Sequence, residues 1–301
     1  MSYFLQIMLN GVHSGALYAL LAYGYVLTYI VTKRANIAHG AMFAFSGQVL
    51  VAGTNFGYNV MWIILPLAIG FGSAISVIMS VIILFLLAKI IFPPLIQRAP
   101  NAMIAATLAV TIVLTESTRI GASGYDLWLP PLLANQLHFG LMSIHASLTL
   151  LQVINVMIVI SLIVITEMTL TMTMLGRRIR AVADDPLAAS LCGINVSSIS
   201  TLAIVSGGIL ATIDGQLAVI YYGNMSYSSG LIYGLKILFI ASAGGFSRPL
   251  YAAAGAFTFG IAENLWDGYF PAIWREVVLY GALVALLCLR TEGQVNIQNR
   301  Q

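Results

Sequence analysis

The sequence predicts an all-α polytopic membrane protein: a bundle of eight or nine transmembrane helices, some short or broken, with one short helix on the cytoplasmic side. Three observations carry this. Only 8% of the 301 residues are charged while 60% are hydrophobic; a soluble domain carries roughly a quarter charged residues, so these few cannot cover a water-facing surface. Mean hydropathy is +0.95. Apolar runs recur at the length of about 20 residues that a hydrocarbon core about 30 Å thick demands. Length alone would suggest about two soluble domains, but composition points to one transmembrane domain over 1–301.

The strong apolar runs lie near 4–31, 61–91, 102–120, 148–172, 197–221, 249–270 and 274–290. Two weaker runs, near 38–55 and 231–245, are shorter or richer in glycine and polar residues. They are expected to form short, tilted or broken spans. No lysine or arginine precedes Lys33, so the first run lacks the basic start of a cleavable signal peptide and is expected to stay in the membrane. With nine spans, one set of loops holds Lys33, Arg34, Lys89, Arg98, Arg177, Arg178, Arg180, Arg248, Arg290 and Arg300, and the other holds Arg119 and Arg275. Basic loops stay in the cytoplasm, which puts the N-terminus outside and the C-terminus inside. A count of eight would break this parity.

The outer side then carries the longest non-helical stretch, about 121–147, with Asp126, Trp128, Pro130, Pro131, His138 and His145. Paired prolines argue against continuous helix there. The stretch is either a lip at which an external partner docks or an ordinary connection.

Small residues recur inside the runs as Gly11/Gly15, Gly70/Gly72, Gly207/Gly208, Gly244/Gly245 and Gly255/Gly260. Helices in lipid associate by close packing, and a small-xxx-small pair such as Gly11/Gly15 lets two backbones approach. An ionisable group at mid-bilayer costs about 2.5–3.5 kcal/mol on insertion scales, so His13, His39, Glu116, Asp214, Lys236 and Glu263 each need an explanation. Glu116 and Arg119 are three apart and suited to pair on one helix face. Lys236 and Glu263 lie on neighbouring spans and are expected to form a buried ion pair. Asn36 and His39 sit where the chain re-enters the membrane and are expected to bond backbone groups freed by a helix break. Asn36, His39, Asp214, Lys236 and Glu263 are thus the candidates for the pathway or the polar interior of the bundle.

Cys192 and Cys288 belong to no CxxC pair and have no histidine nearby, which fits packing rather than a disulfide or zinc site. No GxxxxGK[ST], HExxH or GxSxG element occurs, so no phosphate cradle, metal or cofactor is expected. Energy for transport would have to come from another subunit or an ion gradient. No basic patch interleaved with aromatics is present, so nucleic-acid binding has no support.

The segment 173–196 reads TMLGRRIRAVADDPLAASLCGINV, an amphiphilic island between apolar runs. Asp184 and Asp185 precede Pro186. Asp185 suits an N-cap and Pro186 the first helical position, where a missing N–H costs nothing. Gly193 suits the left-handed residue past a helix end. A helix of about two turns is expected at the inner membrane surface. Arg177, Arg178 and Arg180 before it either set orientation and touch anionic lipid, or frame a rigid knob that a cytoplasmic partner grips. A lipid anchor does not need the cap–proline–glycine pattern.

This segment resembles the coupling-helix region of branched-chain amino acid ABC permeases, matching at Gly176, Arg177, Arg180, Ala181, Asp184, Ala188, Ala189, Gly193 and Ile194. Asn36-Ile37-Ala38-His39-Gly40 resembles that family's Asn-x-Ala-His-Gly element. Gly234-Leu235-Lys236, Gly244-Gly245 and Gly260-Ile261-Ala262-Glu263 match it in order and spacing. The likeness runs from Asn10-Gly11 to the last apolar run. It implies an inner-membrane permease subunit, not an enzyme, that passes branched-chain or other hydrophobic amino acids. Its implied partners are a second related permease, two ATP-binding cassette subunits, a periplasmic solute-binding protein and membrane lipid. Contact with the ATPase would fall to Gly176, Arg177, Arg178, Arg180, Asp184, Asp185, Pro186, Ala188, Ala189 and Gly193. Similar permeases carry urea and short amides. A gradient-driven carrier and a scaffold without a pathway are the rivals from other classes. Departures bear on the substrate: Ala41 stands where the family is often acidic, Asp214 falls in a segment usually filled by small apolar residues, and Phe43 and Phe45 make the second run aromatic.

Overall fold

In the computed structural model, residues 2–96, 100–122, 124, 127–130, 136–141, 144–246 and 248–285 are described. Arg98, Asp126, Pro131, Cys288, Arg290 and Arg300 lie outside them.

Each apolar run becomes a helix. The first is α1 (Ser2–Thr32), closed by Lys33 in a left-handed conformation at φ 51°. The weak second run is α2 (Ala38–Asn59). Next comes α3 (Leu65–Leu86), started by Pro66 and continued through a π turn at Leu87–Ile91 into the short α4 (Phe92–Ile96). Then follow α5 (Pro100–Gly121), α6 (Leu150–Met172), α7 (Met174–Asp184), α8 (Pro186–Leu191) and α9 (Val196–Tyr222). The weak run near 231–245 is α10 (Ser229–Gly244), and α11 spans Pro249–Tyr269. Residues 275–285 form α12, whose run extends past the described residues. The second strong run starts at Leu65 rather than 61 because Pro66 sets the helix start and Trp62, at φ 55°, breaks the chain before it.

Five helical stretches are long and apolar enough to cross a membrane: Tyr3–Thr32, Leu65–Leu95, Asn101–Gly121, Leu150–Met172 and Val196–Tyr222. The chain is an all-α membrane protein in its spanning part. One departure from pure helix lies in the long connection, where β1 (Gln136–Leu141) pairs antiparallel with β2 (Ile144–Thr149), Gln136 opposite Thr149 and Leu141 opposite Ile144. Only a loop was expected there. The short Leu137/Phe139/Leu141 alternation carries the period-2 pattern of a strand.

The bundle is layered around α1. In its most apolar window α1 is 89% buried, against 17% for α6. Leu20, Leu21, Ala22 and Tyr23 are sealed from solvent. Around α1 stand α9, α11, α6 and α10, while α2 is enclosed by α3, α9, α10 and α5. A helix enclosed by protein need not be apolar all round, so α2 tolerates His39, Ser46, Gln48 and Thr54. That explains its weak hydropathy signal.

Glycines set the closest crossings. A Cβ at Gly260 would overlap the Cα of Gly15, and a Cβ at Gly15 would lie 2.6 Å from the Phe257 carbonyl oxygen. Between α1 and α9, a Cβ at Gly24 would sit 2.6 Å from the Gly207 oxygen. The Gly11/Gly15 pair therefore packs as its spacing predicts, with α11 as its partner.

Hydrogen bonds define two ends of the bundle. At one end, Tyr3 donates to the Gly268 carbonyl at 2.8 Å. There Gln6 bonds both backbone groups of Ser147 at 2.8 and 2.9 Å, acting as a strand neighbour for β2. At the other end, Lys33 and Arg34 line a groove with Ile104 of α5 and Phe246, and α7 and α8 join α6 to α9.

Candidate functional site

Two regions bring the expected residues together. The first is α7–α8. Thr173 caps α7 by accepting from Gly176 N–H at 3.1 Å. Ile179, Val182 and Ala183 turn inward, Arg177 and Arg178 turn outward, and Arg180, though exposed, reaches back to the end of α6. Asp185 caps α8 as expected, accepting from Leu187 and Ala188 N–H at 2.8 and 3.1 Å. The helix closes in a full Schellman arrangement: Gly193 at φ 80° donates to the Ser190 carbonyl at 3.0 Å, and Ile194 to Ala189 at 3.1 Å. The result is a six-residue rod capped at both ends.

Its residues divide by environment. Gly176 is buried where a Cβ would overlap the Leu170 carbonyl. Arg180 donates to that same carbonyl, capping the end of α6. Ala189 packs into the core. These three hold the rod on the bundle. Asp184, Pro186, Ala188 and Gly193 are exposed, and so are Leu187 and Leu191, at 71% and 81%. The two leucines are four apart and share one face of α8. They were absent from the sequence-based candidates; two apolar residues at i, i+4 in a segment otherwise charged and small were the available signal.

The second region is the polar interior. Lys236 of α10 and Glu263 of α11 form the expected pair, Nζ to Oε1 2.8 Å, with both side chains nearly sealed. The pair extends outward. Arg275 lies 3.5 Å from the same Glu263 oxygen and 2.9 Å from Asp267. Inward, Lys236 donates to the Tyr18 hydroxyl at 3.3 Å. Asp214 is separate: it is 1% exposed on α9, and neither carboxylate oxygen has a hydrogen-bond partner among the described residues.

Asn36 and His39 are both buried. A His39 ring N–H donates to the Leu21 carbonyl of α1 at 3.1 Å, a tautomer set by the carbonyl acceptor. Asn36 contributes its backbone N–H to the Tyr25 hydroxyl at 3.4 Å, while its side-chain Oδ1 finds no partner among the described residues. Glu116 and Arg119 pair at 2.6 Å on the exposed face of α5.

Sequence reasoning missed a polar seam that fixes α6. Gln152 donates to Tyr221 and Asn10 at 2.7 and 3.2 Å, Asn155 bonds the Leu217 carbonyl and His13 at 3.3 and 3.2 Å, and Glu167 accepts from Tyr23 at 2.9 Å. The signal was three polar residues on one face of an apolar run. A cavity of about 490 Å³ opens between α2, α3 and α5, lined by Phe45, Gln48, Phe56, Met79 and Thr118 among others. Its wall is apolar with a few polar groups, the usual make-up of a small-molecule pocket.

The sequence profile described as "Branched-chain amino acid transport system / permease component" matches residues 7–287. The high-affinity branched-chain amino acid transport system permease protein LivH of Escherichia coli K12 is 27% identical over 296 residues, covering 97% of this chain and 95% of that protein. BraD of Pseudomonas aeruginosa, a permease protein of the same description, is 26% identical over the same shares. A probable ABC transporter permease protein, y4mJ of Sinorhizobium fredii, is 25% identical over 263 residues, 85% of this chain and 72% of its own length. No solved structure matches the chain. With the profile spanning almost the whole bundle, from α1 to α12, the chain belongs to the family of branched-chain amino acid transport system permease components.

Proposed function

We propose that this chain is the transmembrane permease half of an ATP-driven importer that passes branched-chain or other hydrophobic amino acids from periplasm to cytoplasm. The carrying observation is α8: a rod capped at both ends, tied to the ends of α6 and α9, with Leu187 and Leu191 turned outward. A rigid apolar knob of this kind suits a cleft on another protein better than water.

In this proposal the chain is one transmembrane domain over 1–301 with nine spans: α1, α2, α3 with α4, α5, α6, α9, α10, α11 and α12. The segment 173–196 is cytoplasmic, the N-terminus periplasmic and the C-terminus cytoplasmic. Support comes from the basic residues Lys33, Arg34, Arg177, Arg178, Arg180 and Arg248, which all fall at the α7–α8 ends of their helices, while Arg119 and Arg275 fall at the opposite ends. A second permease completes the pathway and two ATP-binding cassette subunits grip α8. A periplasmic binding protein delivers the solute near the β1–β2 hairpin. ATP-driven closure of the cassettes moves α8, and the caps transmit that motion to α6 and α9. The relatives' names support the substrate class.

The test is reconstitution of the permease pair with its cassette subunits and binding protein in liposomes. Leucine uptake that requires ATP and persists without ion gradients is expected. Uptake driven by a gradient without ATP would establish a secondary carrier instead. Preference for urea over leucine would move the protein to the short-amide branch.

A further inference from the structure

One buried group is left over from the network described above. Asp214 lies past the middle of α9, a helix apolar enough to span the membrane, and its side chain is 1% exposed. Both carboxylate oxygens lack a hydrogen bond, and no ion pair to Asp214 occurs among the described residues. Lys236, the nearby buried cation, is committed to Glu263 at 2.8 Å.

A lone carboxylate at this depth costs about 2.5–3.5 kcal/mol on insertion scales and more when its lone pairs are unmet. No cation of the described residues is brought into ion-pair distance of Asp214. A small enclosed space lies there instead. Asp214 lines a cavity with Ser14 and Tyr18 of α1, Phe43 of α2, Tyr222 of α9 and Tyr233 of α10. About 20 Å³ of it is open to the centre of a water-sized particle, which is room for one such particle.

The chemistry of that lining is selective. Every polar side chain in it ends in oxygen: one carboxylate, one serine hydroxyl and three phenols. Oxygen donors suit hard cations, not soft ones. A single negative charge balances a single positive one; a divalent ion would leave a net charge in a low-dielectric interior. Phe43 and Tyr233, with ring centroids 4.9 Å apart, add aromatic surface that favours a cation further. The space is too small for an amino acid or an organic amine.

We infer that the Asp214 cavity is a binding site for one dehydrated monovalent cation of sodium size, with the Asp214 carboxylate as counter-charge and the Ser14, Tyr222 and Tyr233 hydroxyls as further oxygen donors; the Tyr18 hydroxyl is already taken by Lys236. Four helices meet at this point, α1, α2, α9 and α10, so the ion would fasten the inner bundle. The inference does not depend on which solute the chain carries.

The experiment uses the full chain purified in detergent with N-methylglucamine as the only cation, at fixed ionic strength. Titration with ²²Na⁺ is expected to show saturable binding near one ion per chain. Thermal unfolding should shift upward with sodium and not with added N-methylglucamine, by the linkage between binding and stability. Asp214→Asn should abolish both effects. If that variant does not fold, Ser14→Ala and Tyr233→Phe carry the test, each expected to weaken sodium binding roughly tenfold, as loss of one supporting group does at metal sites. Absence of saturable ²²Na⁺ binding overturns the inference. So does binding retained in Asp214→Asn, or unchanged affinity in both hydroxyl variants. An infrared carboxylic-acid band at saturating sodium that disappears in Asp214→Asn would show a neutral acid in place of an ion pair and would also overturn it.

Discussion

The ammonium of Lys236 lies 2.8 Å from the carboxylate of Glu263, with side-chain exposures of 5% and 6%, and this one contact ties α10 to α11 inside the bundle. Removing one member of a buried pair leaves a charge without compensation and costs about 3–5 kcal/mol. The neighbours make the two deletions unequal. Without Lys236, Glu263 keeps Arg275 at 3.5 Å; without Glu263, Lys236 keeps the neutral Tyr18 hydroxyl at 3.3 Å and, as its one carboxylate among the described residues, Glu276 at 3.9 Å. Glu263→Gln is therefore expected to lower the unfolding temperature in detergent more than Lys236→Met. The exchange Lys236→Glu with Glu263→Lys should restore only part of the loss, because the new lysine would face Arg275. Equal effects of the two single changes would contradict the asymmetry.

The crossing of α1 over α11 rests on backbone contact. Alanine at position 260 would overlap Gly15, and alanine at position 15 would press on the Phe257 carbonyl at 2.6 Å. Neither obstacle is a flexible side chain, so the helices must separate. Overpacking of this kind costs about 1–3 kcal/mol. Gly70 on α3 has nothing within 4 Å of its Cβ position. Gly260→Ala and Gly15→Ala should each lower thermal stability, while Gly70→Ala should leave it unchanged. Size-exclusion profiles and unfolding curves of the three variants decide the matter.

Helix α6 is left uncovered by the rest of the chain along most of its surface and is held by its few polar residues. Asn155 bonds the Leu217 carbonyl at 3.3 Å and the His13 ring at 3.2 Å. Hydrogen bonds between helices in membranes average about 0.6 kcal/mol and reach about 1.7. Asn155→Val keeps a similar shape, removes both bonds, and should destabilise by about 1 kcal/mol. Backbone exchange protection should fall most along α6. An unchanged exchange pattern there would mean that apolar contact alone retains the helix.

What could be foreseen in this chain divides by the range of the interaction involved. Asp185, Pro186 and Gly193 act within a few residues, and their cap, start and left-handed stop are where local rules put them. The Lys236–Glu263 pair was legible because a charge in an apolar run must find its opposite, and few were on offer. The partners of Gln152 and Asn155 were not, because Asn10, His13, Tyr221 and Leu217 are brought close only by the packing of α1 and α9 against α6. Pattern also understated α2: its polar face turns toward protein, not lipid, and hydropathy cannot tell these surroundings apart. Leu187 and Leu191 were passed over because burial on a six-residue helix follows from which face meets the bundle. Ala189 is that face, so the leucines point away.

That orientation yields the sharpest prediction. Leu187 and Leu191 contribute little to packing within this chain, with exposures of 71% and 81%. Replacing both by glutamate should leave its unfolding temperature unaltered. If a partner buries them, each contributes about 1.5–3 kcal/mol at that interface, or roughly ten- to a hundredfold in affinity. The double variant Leu187→Glu/Leu191→Glu should therefore lose its cassette subunits during mild-detergent purification and lose ATP-dependent uptake. Arg180→Gln should behave differently. Its guanidinium donates to the Leu170 carbonyl at the end of α6, so that variant should lower the stability of the isolated chain as well. Retained copurification in the double leucine variant would show that the partner grips another surface, and stability loss in it would show that these side chains are covered within the chain itself.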